Sequence, residues 1–167
     1  ALSFSDFYPL PAQSLGLTGE DAMIAGWFTA GEHTIAVSDY YGEAAELDVT
    51  VTSVGDAGAA LAEAEAIPIT VPEDGVWVGY LDLVEGESLE VDVRPTSGDD
   101  LTAAVLTVDG LIWDDDDRTD EVRRDVGGDF LDPYVATENM PGGRVVVMVG
   151  ELDGAGGTAE VTAWIIR

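Results

Sequence analysis

Apolar and polar residues alternate with a period of two along most of this chain. "HTIAV" (33–37), "ELDVTV" (46–51), "SLEVDV" (88–93) and "AEVTAWI" (159–165) have the pattern of half-buried strands. "WVGYLDL" (77–83), "AAVLTV" (103–108) and "RVVVMV" (144–149) are more continuously apolar and read as central strands. Turn signals separate them at Glu85-Gly86, Ser97-Gly98, Asp109-Gly110, Pro141-Gly142-Gly143 and Asp153-Gly154. Many short strands with regular turns predict an all-β chain folded as an antiparallel β-sandwich, of jelly-roll or immunoglobulin-like type. Only "DAGAALAEAEA" (56–66) has helical composition. It lacks a wide apolar stripe, so a short surface helix and a linker both fit it.

An internal echo bears on domain organisation. "TAGEHTIAVSDYYGEAAELDVTVTS" (29–53) lies over "PGGRVVVMVGELDGAGGTAEVTAWI" (141–165) without a gap. Gly31 falls on Gly143, Val37 on Val149, Gly42 on Gly154, Val49 on Val161 and Thr50 on Thr162. Each copy reads as a glycine turn, a strand, a second turn and a return strand, the pattern of a hairpin. The expected division is an N-terminal arm with a small β-hairpin unit (1–53), a linker or short helix (54–66) and a β-sandwich domain (67–167).

Charge changes the picture next. The 167 residues carry 34 acids and 6 bases, a formal charge of −28, while 46% of residues are apolar. A core can therefore form, but self-repulsion opposes compaction unless salt, divalent cations or a basic partner relieve it. All six bases are arginine. Nucleic acid and anionic membranes are excluded as partners, because binding phosphates needs a basic footprint. No apolar run reaches membrane-spanning length, so membrane insertion is not expected. The acid excess suits a saline setting, although a GC-rich genome produces part of the same bias. With no cysteine, disulfides, thiolate zinc sites and cysteine nucleophiles are ruled out. Ala1 fits both signal-peptide cleavage and removal of an initiator methionine.

Residues 72–167 resemble the bacterial pre-peptidase C-terminal domain. The segments that carry the resemblance are "WVGYLDLVEGESLEVDV", "DDLTAAVLTVDG", the acidic "DDDDRTDE" and "GGRVVVMVGELDGAGGTAEVTAWI". They follow the family's order of paired strands, acidic loop and final hairpin; Val145 to Val147 stand where that hairpin usually carries an aromatic residue. The resemblance implies a small, non-catalytic β-sandwich of secreted and surface proteins. It serves there in secretion, adhesion or substrate attachment, and in some members an acidic loop binds calcium.

The acidic stretch "LIWDDDDRTDE" (111–121) is the first candidate for chemistry. Calcium takes six to eight oxygens, and Asp-rich loops supply them. Asp99, Asp100, Asp114, Asp116, Asp117, Asp120 and Glu121 form the candidate metal set, with Ca2+ as its ion. An extended run would send Asp114 and Asp116 to one side and Asp115 and Asp117 to the other. The stretch lacks the glycine and final glutamate of an EF-hand. A solvated loop, partly neutralised by Arg118, Arg123 and Arg124, is the competing reading. Close carboxylate pairs carry little meaning among 34 acids. His33, the only histidine, shares a strand face with Ile35 and Val37 and reads as packed rather than catalytic. "GDAG" and "GAGG" lack a following lysine and read as turns. No enzyme activity is expected.

Two features point to assembly. Trp27, Phe28, Trp77, Tyr80, Trp113, Tyr134 and Trp164 are expected in the core, whereas Tyr40 and Tyr41, at a turn, are candidate surface contacts. The arm "ALSFSDFYPLPAQSLGL" (1–17) presents Phe4, Phe7, Tyr8, Leu10, Leu15 and Leu17 with little regular period. It either folds over its own sandwich or completes a neighbouring subunit. The expected function is a structural or adhesive subunit of an extracellular or cell-surface assembly or filament, as a homo-oligomer or among other subunits. A virion decoration or fibre protein and an accessory domain of a secreted hydrolase are the alternatives.

Overall fold

In a computed structural model of the chain, the described residues are Gly31, Glu32, Thr34, Glu46 and 58–167. Residues 74–75, 98–99, 108–111, 116–117 and 152–154 are excepted, and so are the side chains of 112–115. Among the described residues, nine strands and one short helix follow in order: β1 (Ala59–Ala60), β2 (Ile67–Val71), β3 (Trp77–Leu83), β4 (Ser88–Pro95), β5 (Leu101–Thr107), β6 (Ile112–Asp115), α1 (Asp120–Asp125), β7 (Tyr134–Ala136), β8 (Gly143–Glu151) and β9 (Gly157–Ile166). They form a five-stranded sheet, β1-β3-β8-β5-β6, and a four-stranded sheet, β2-β9-β4-β7. Every strand pair is antiparallel except β1 with β3. The molecule is a β-sandwich, as its alternation predicts.

Alternation selects the residues between the layers. Leu81, Leu83, Leu101, Ala103, Val105, Val145, Val147 and Val149 come from the five-stranded sheet; Ile69, Val71, Leu89, Val91, Val93, Ala159, Val161 and Ala163 come from the other. Full burial of a Val or Leu contributes about 1.5–3 kcal/mol, so this interior dominates the cohesion of the fold. Trp77 packs against the same core, its indole filling the space over Gly79. Met140 is fully buried, and its backbone bonds to Gly86 and Glu87 in the β3–β4 turn.

The three continuously apolar runs are β3, β5 and β8, the inner strands of the five-stranded sheet. β2 (IPITV) contains Pro68, which cannot donate to a ladder; it sits at a sheet edge, where that is tolerated.

Two local expectations meet a different structure. The Ala/Glu-rich stretch is extended from Gly58, not helical: β1 pairs with β3, Leu61 enters the core, and Glu63 bridges to Ala163 in the opposite sheet. The stretch thus crosses the open side of the sandwich, because burial of Leu61 outweighs alanine's helix propensity. The segment 141–165 is not a hairpin. β8 pairs with β3 and β5, whereas β9 pairs with β2 and β4, so the chain passes from one layer to the other. Four central ladders outweigh the single local one that a hairpin would form. The first copy of the echo lies outside the described residues apart from Gly31, Glu32, Thr34 and Glu46, as do the arm (1–17), His33, Tyr40 and Tyr41.

Candidate functional site

The acidic segment begins on β6. Ala103 pairs with Asp115 and Ala104 with Asp114, so Asp115 lies at the same end of the β5–β6 pair as Asp100. Register therefore brings two of the expected acidic stretches to one end of a sheet. Asp99, Asp116 and Asp117 lie outside the described residues, and for Asp114 only the backbone is described. Asp120 and Glu121 are drawn elsewhere. They occupy the first turn of α1, exposed, and face their own arginines: Asp120 to Arg123 at 3.6 Å and Glu121 to Arg124 at 3.8 Å. Among the described residues, no three of His, Cys, Asp and Glu gather into a group able to hold a metal ion.

What organises this segment is Arg118. Composition made it a surface counter-charge; the structure makes it a fully buried side chain. It donates from Nε to the Asp132 carbonyl (2.9 Å), from Nη1 to the Gly127 carbonyl (2.8 Å), and from Nη2 to the Asp92 carboxylate and the Val93 carbonyl. Four of its five N–H groups are thereby satisfied. Its guanidinium lies 5.7 Å from the centre of the Tyr134 ring, within cation–π range. Asp92 is 2% exposed and accepts a second arginine, Arg94, at 2.8 Å. Arg94 in turn donates to the Val126 carbonyl. Two arginines and one aspartate thus fasten 118–132 to β4.

The local sequence suits this arrangement. Thr119 caps α1 by accepting from the Val122 N–H, with acids in the first turn and arginines in the last, as the helix dipole favours. Gly128 has φ +87°, and an added Cβ would lie 2.7 Å from Arg118 Nη1, so glycine is required there. The Arg118 backbone N–H donates to the Phe130 carbonyl, and Phe130 and Leu131 stand half-exposed at the loop tip. Burial, with the Glu90 carboxylate beside it, holds the Tyr134 phenol well above its ordinary range.

The remaining arginines are also engaged. Arg144 bonds Asp82 through two nitrogens and lies 4.4 Å over the Tyr80 ring; it holds the Asp82 carboxyl below the usual carboxylate range. Arg167 bonds Glu63 through two nitrogens and Glu87 through a third. An open groove of about 470 Å³ lies between Gly58–Ala59, Thr70, Pro72 and Val76–Val78. Among the described residues its lining holds no titratable side chain.

The chain is thus a β-sandwich whose positive charges all turn to its own carboxylates. No family model matches it, and no curated protein matches it. It is similar in structure to the pre-peptidase C-terminal domain of a collagenase from Bacillus anthracis, with a TM-score of 0.48 and 12% identity over 64% of this chain and 93% of that one. It is also similar to Aeromonas hydrophila PliG, a periplasmic inhibitor of g-type lysozyme, with a TM-score of 0.44 and 8% identity over 64% of this chain and 96% of that one. The resemblance read from residues 72–167 and the first of these structures name the same family. At such identities no site residue is carried across.

Two signals for the arginine anchor were present in the sequence. Arg118 interrupts a run of acids, and Asp92 lies on the polar side of "LEVDVR". Nothing local indicated that the two meet, 26 residues apart.

Proposed function

We propose that this chain is a non-enzymatic structural or adhesive subunit of an extracellular surface assembly or filament, suited to saline surroundings. One observation carries the reading. All six bases of the chain are ion-paired within the chain: Arg94 and Arg118 to Asp92, Arg123 to Asp120, Arg124 to Glu121 and Asp125, Arg144 to Asp82, and Arg167 to Glu63 and Glu87. Positive charge is spent on holding loops and strand ends in place. The 34 acids far outnumber these pairings, so the chain meets its surroundings as a polyanion. Such a surface favours salt, hard cations and basic partners, and repels nucleic acid. Calcium enters this reading as a counterion for Asp114 to Asp117 together with Asp99 and Asp100. A chelator is then expected to lower the melting temperature more than an ionic-strength-matched control does; superimposable curves remove calcium from the reading.

Negative-stain microscopy of native material across a sodium chloride series tests the main statement. Filaments or ordered arrays that persist or grow with salt are expected. Free monomers at every salt concentration sink it, and density confined to capsid particles moves the protein to the virion alternative.

A further inference from the structure

The loop that Arg118 anchors contains the only Asp-Pro bond of the chain, Asp132–Pro133. An aspartate before proline carries a nucleophile and a leaving group on one amide. Its carboxylate can close a five-membered ring on its own carbonyl carbon, and the proline nitrogen then departs as a secondary amine. In an unfolded chain the step is slow, because nothing fixed stabilises the oxyanion that forms. The fold changes this. The Asp132 carbonyl oxygen accepts from Arg118 Nε at 2.9 Å, and Arg118 is fully buried. A fixed, charged donor on a reacting carbonyl oxygen is the arrangement of an oxyanion hole. The groups around the bond are held as well. Asp132 Oδ2 accepts from the Asp129 N–H at 2.8 Å, and the Asp132 N–H donates to the Asp129 carbonyl at 3.3 Å. On the far side the Pro133 carbonyl accepts from the Val93 N–H at 3.1 Å. An added Cβ on Gly128 would lie 2.7 Å from both Asp132 Oδ2 and Arg118 Nη1, so carboxyl and guanidinium meet over bare backbone. Asp132 is partly exposed, which admits water.

We propose that Asp132–Pro133 is a self-cleaving bond, with the Asp132 carboxylate as nucleophile and Arg118 as the donor to the oxyanion. A carboxylate electron pair forms the new C–O bond to the Asp132 carbonyl carbon, and the carbonyl oxygen takes up negative charge facing Arg118 Nε. On collapse the C–N bond breaks. Its electron pair stays on the Pro133 nitrogen, which takes a proton from solvent. Water then opens the cyclic anhydride to two carboxylates, the side chain's and a new C-terminus, and protons return to solvent. One water is consumed, and no oxidant or reductant is needed. The rate rises on acidification, because the leaving nitrogen must be protonated. The charged and titratable groups around the bond are Arg118, Asp129, Asp92 and Tyr134. Each chain reacts once, so the step is independent of the non-enzymatic structural role. The two pieces stay together afterwards: β8 remains paired with β3 and β5, and β9 with β2 and β4.

Intact-mass spectrometry tests the assignment. The purified full chain is incubated in saline buffer at falling pH, over the range in which circular dichroism shows it folded, and is denatured before each reading. Two products are expected, 1–132 and 133–167, whose masses sum to the parent plus one water, with Pro133 as the new N-terminus. The folded chain should cleave at least about tenfold faster than the same chain in urea at the same pH, because the unfolded chain lacks the Arg118 donor. Asp132→Asn should stay intact. Arg118→Lys should fall to the unfolded rate; if that variant does not fold, the folded-to-unfolded ratio of the wild-type chain decides. The assignment is overturned if the folded chain cleaves no faster than the unfolded one. It is equally overturned if Asp132→Asn is cut at the same bond, or if folded Arg118→Lys keeps the wild-type rate.

Discussion

The two sheets present similar valine- and leucine-rich inner faces but opposite outer ones. On the four-stranded sheet the outer face carries Glu90, Asp92 and Arg94, and its roof is the loop 118–132, held by buried charge. On the five-stranded sheet the outer face carries Ala104, Leu106, Val146 and Met148, buried as an apolar cluster. One outer face is closed by directed contacts of buried charge, and the other is an apolar surface. An arginine with four bonds to set partners tolerates one loop geometry, whereas an apolar face accepts any complementary apolar surface. The polar face therefore specifies its loop, and the apolar face contributes burial without direction.

Substitutions can break or sharpen that contrast. Arg118→Ala should be the most damaging, costing about 3–5 kcal/mol in urea unfolding because it leaves the buried Asp92 with only the half-exposed Arg94 and orphans the carbonyls that Arg118 bonds. Replacing Asp92 and Arg118 together by apolar residues of similar volume should recover much of that loss. A cost below about 1 kcal/mol for Arg118→Ala would mean that the polar roof specifies nothing. Leu106→Ala comes next, at about 2–5 kcal/mol if the outer apolar face is as buried as a core. A value near zero would abolish the contrast from the other side. Thr102→Val should act in the opposite direction. Thr102 is fully buried on that same outer face, and its hydroxyl has no hydrogen-bond partner among the described residues. An orphan hydroxyl costs about 1–3 kcal/mol, so an isosteric apolar replacement should raise the unfolding midpoint. Tyr134→Phe should matter least near neutrality and most in alkali. The folded state holds the phenol protonated, so its contribution is intact below about pH 10 and is lost as pH rises beyond the unfolded value. The phenylalanine variant should show a shallower alkaline decline; identical declines would remove Tyr134 from the polar roof's energetics.

The legible part of the fold was whatever two-residue alternation encodes. β3 was delimited to the residue, and β4, β5, β8 and β9 to within a few, because their inner positions are mostly Val, Leu and Ala facing one interior. The near-continuous apolarity of β5 and β8 was a further signal: strands buried on both faces lose their polar alternates. β1, β6 and β7 are two to four residues long, too short to show a period. The assignment of β8 and β9 to different sheets was not legible, since pairing partners 38 to 94 residues away decide it. The same holds for Arg118. Its residue type reads as surface charge, and only the non-local meeting with Asp92 makes it interior.

The clamp between Arg167 and Glu63 has a mechanical consequence. Glu63 follows Gly58 by five residues, and Arg167 holds it through two nitrogens while reaching Glu87 with a third. The strand entering the sandwich and the strand leaving it are therefore stitched at one corner. Tension drawn along the backbone between positions 58 and 167 strains that stitch and the β1 edge first, and reaches the valine interior only after they yield.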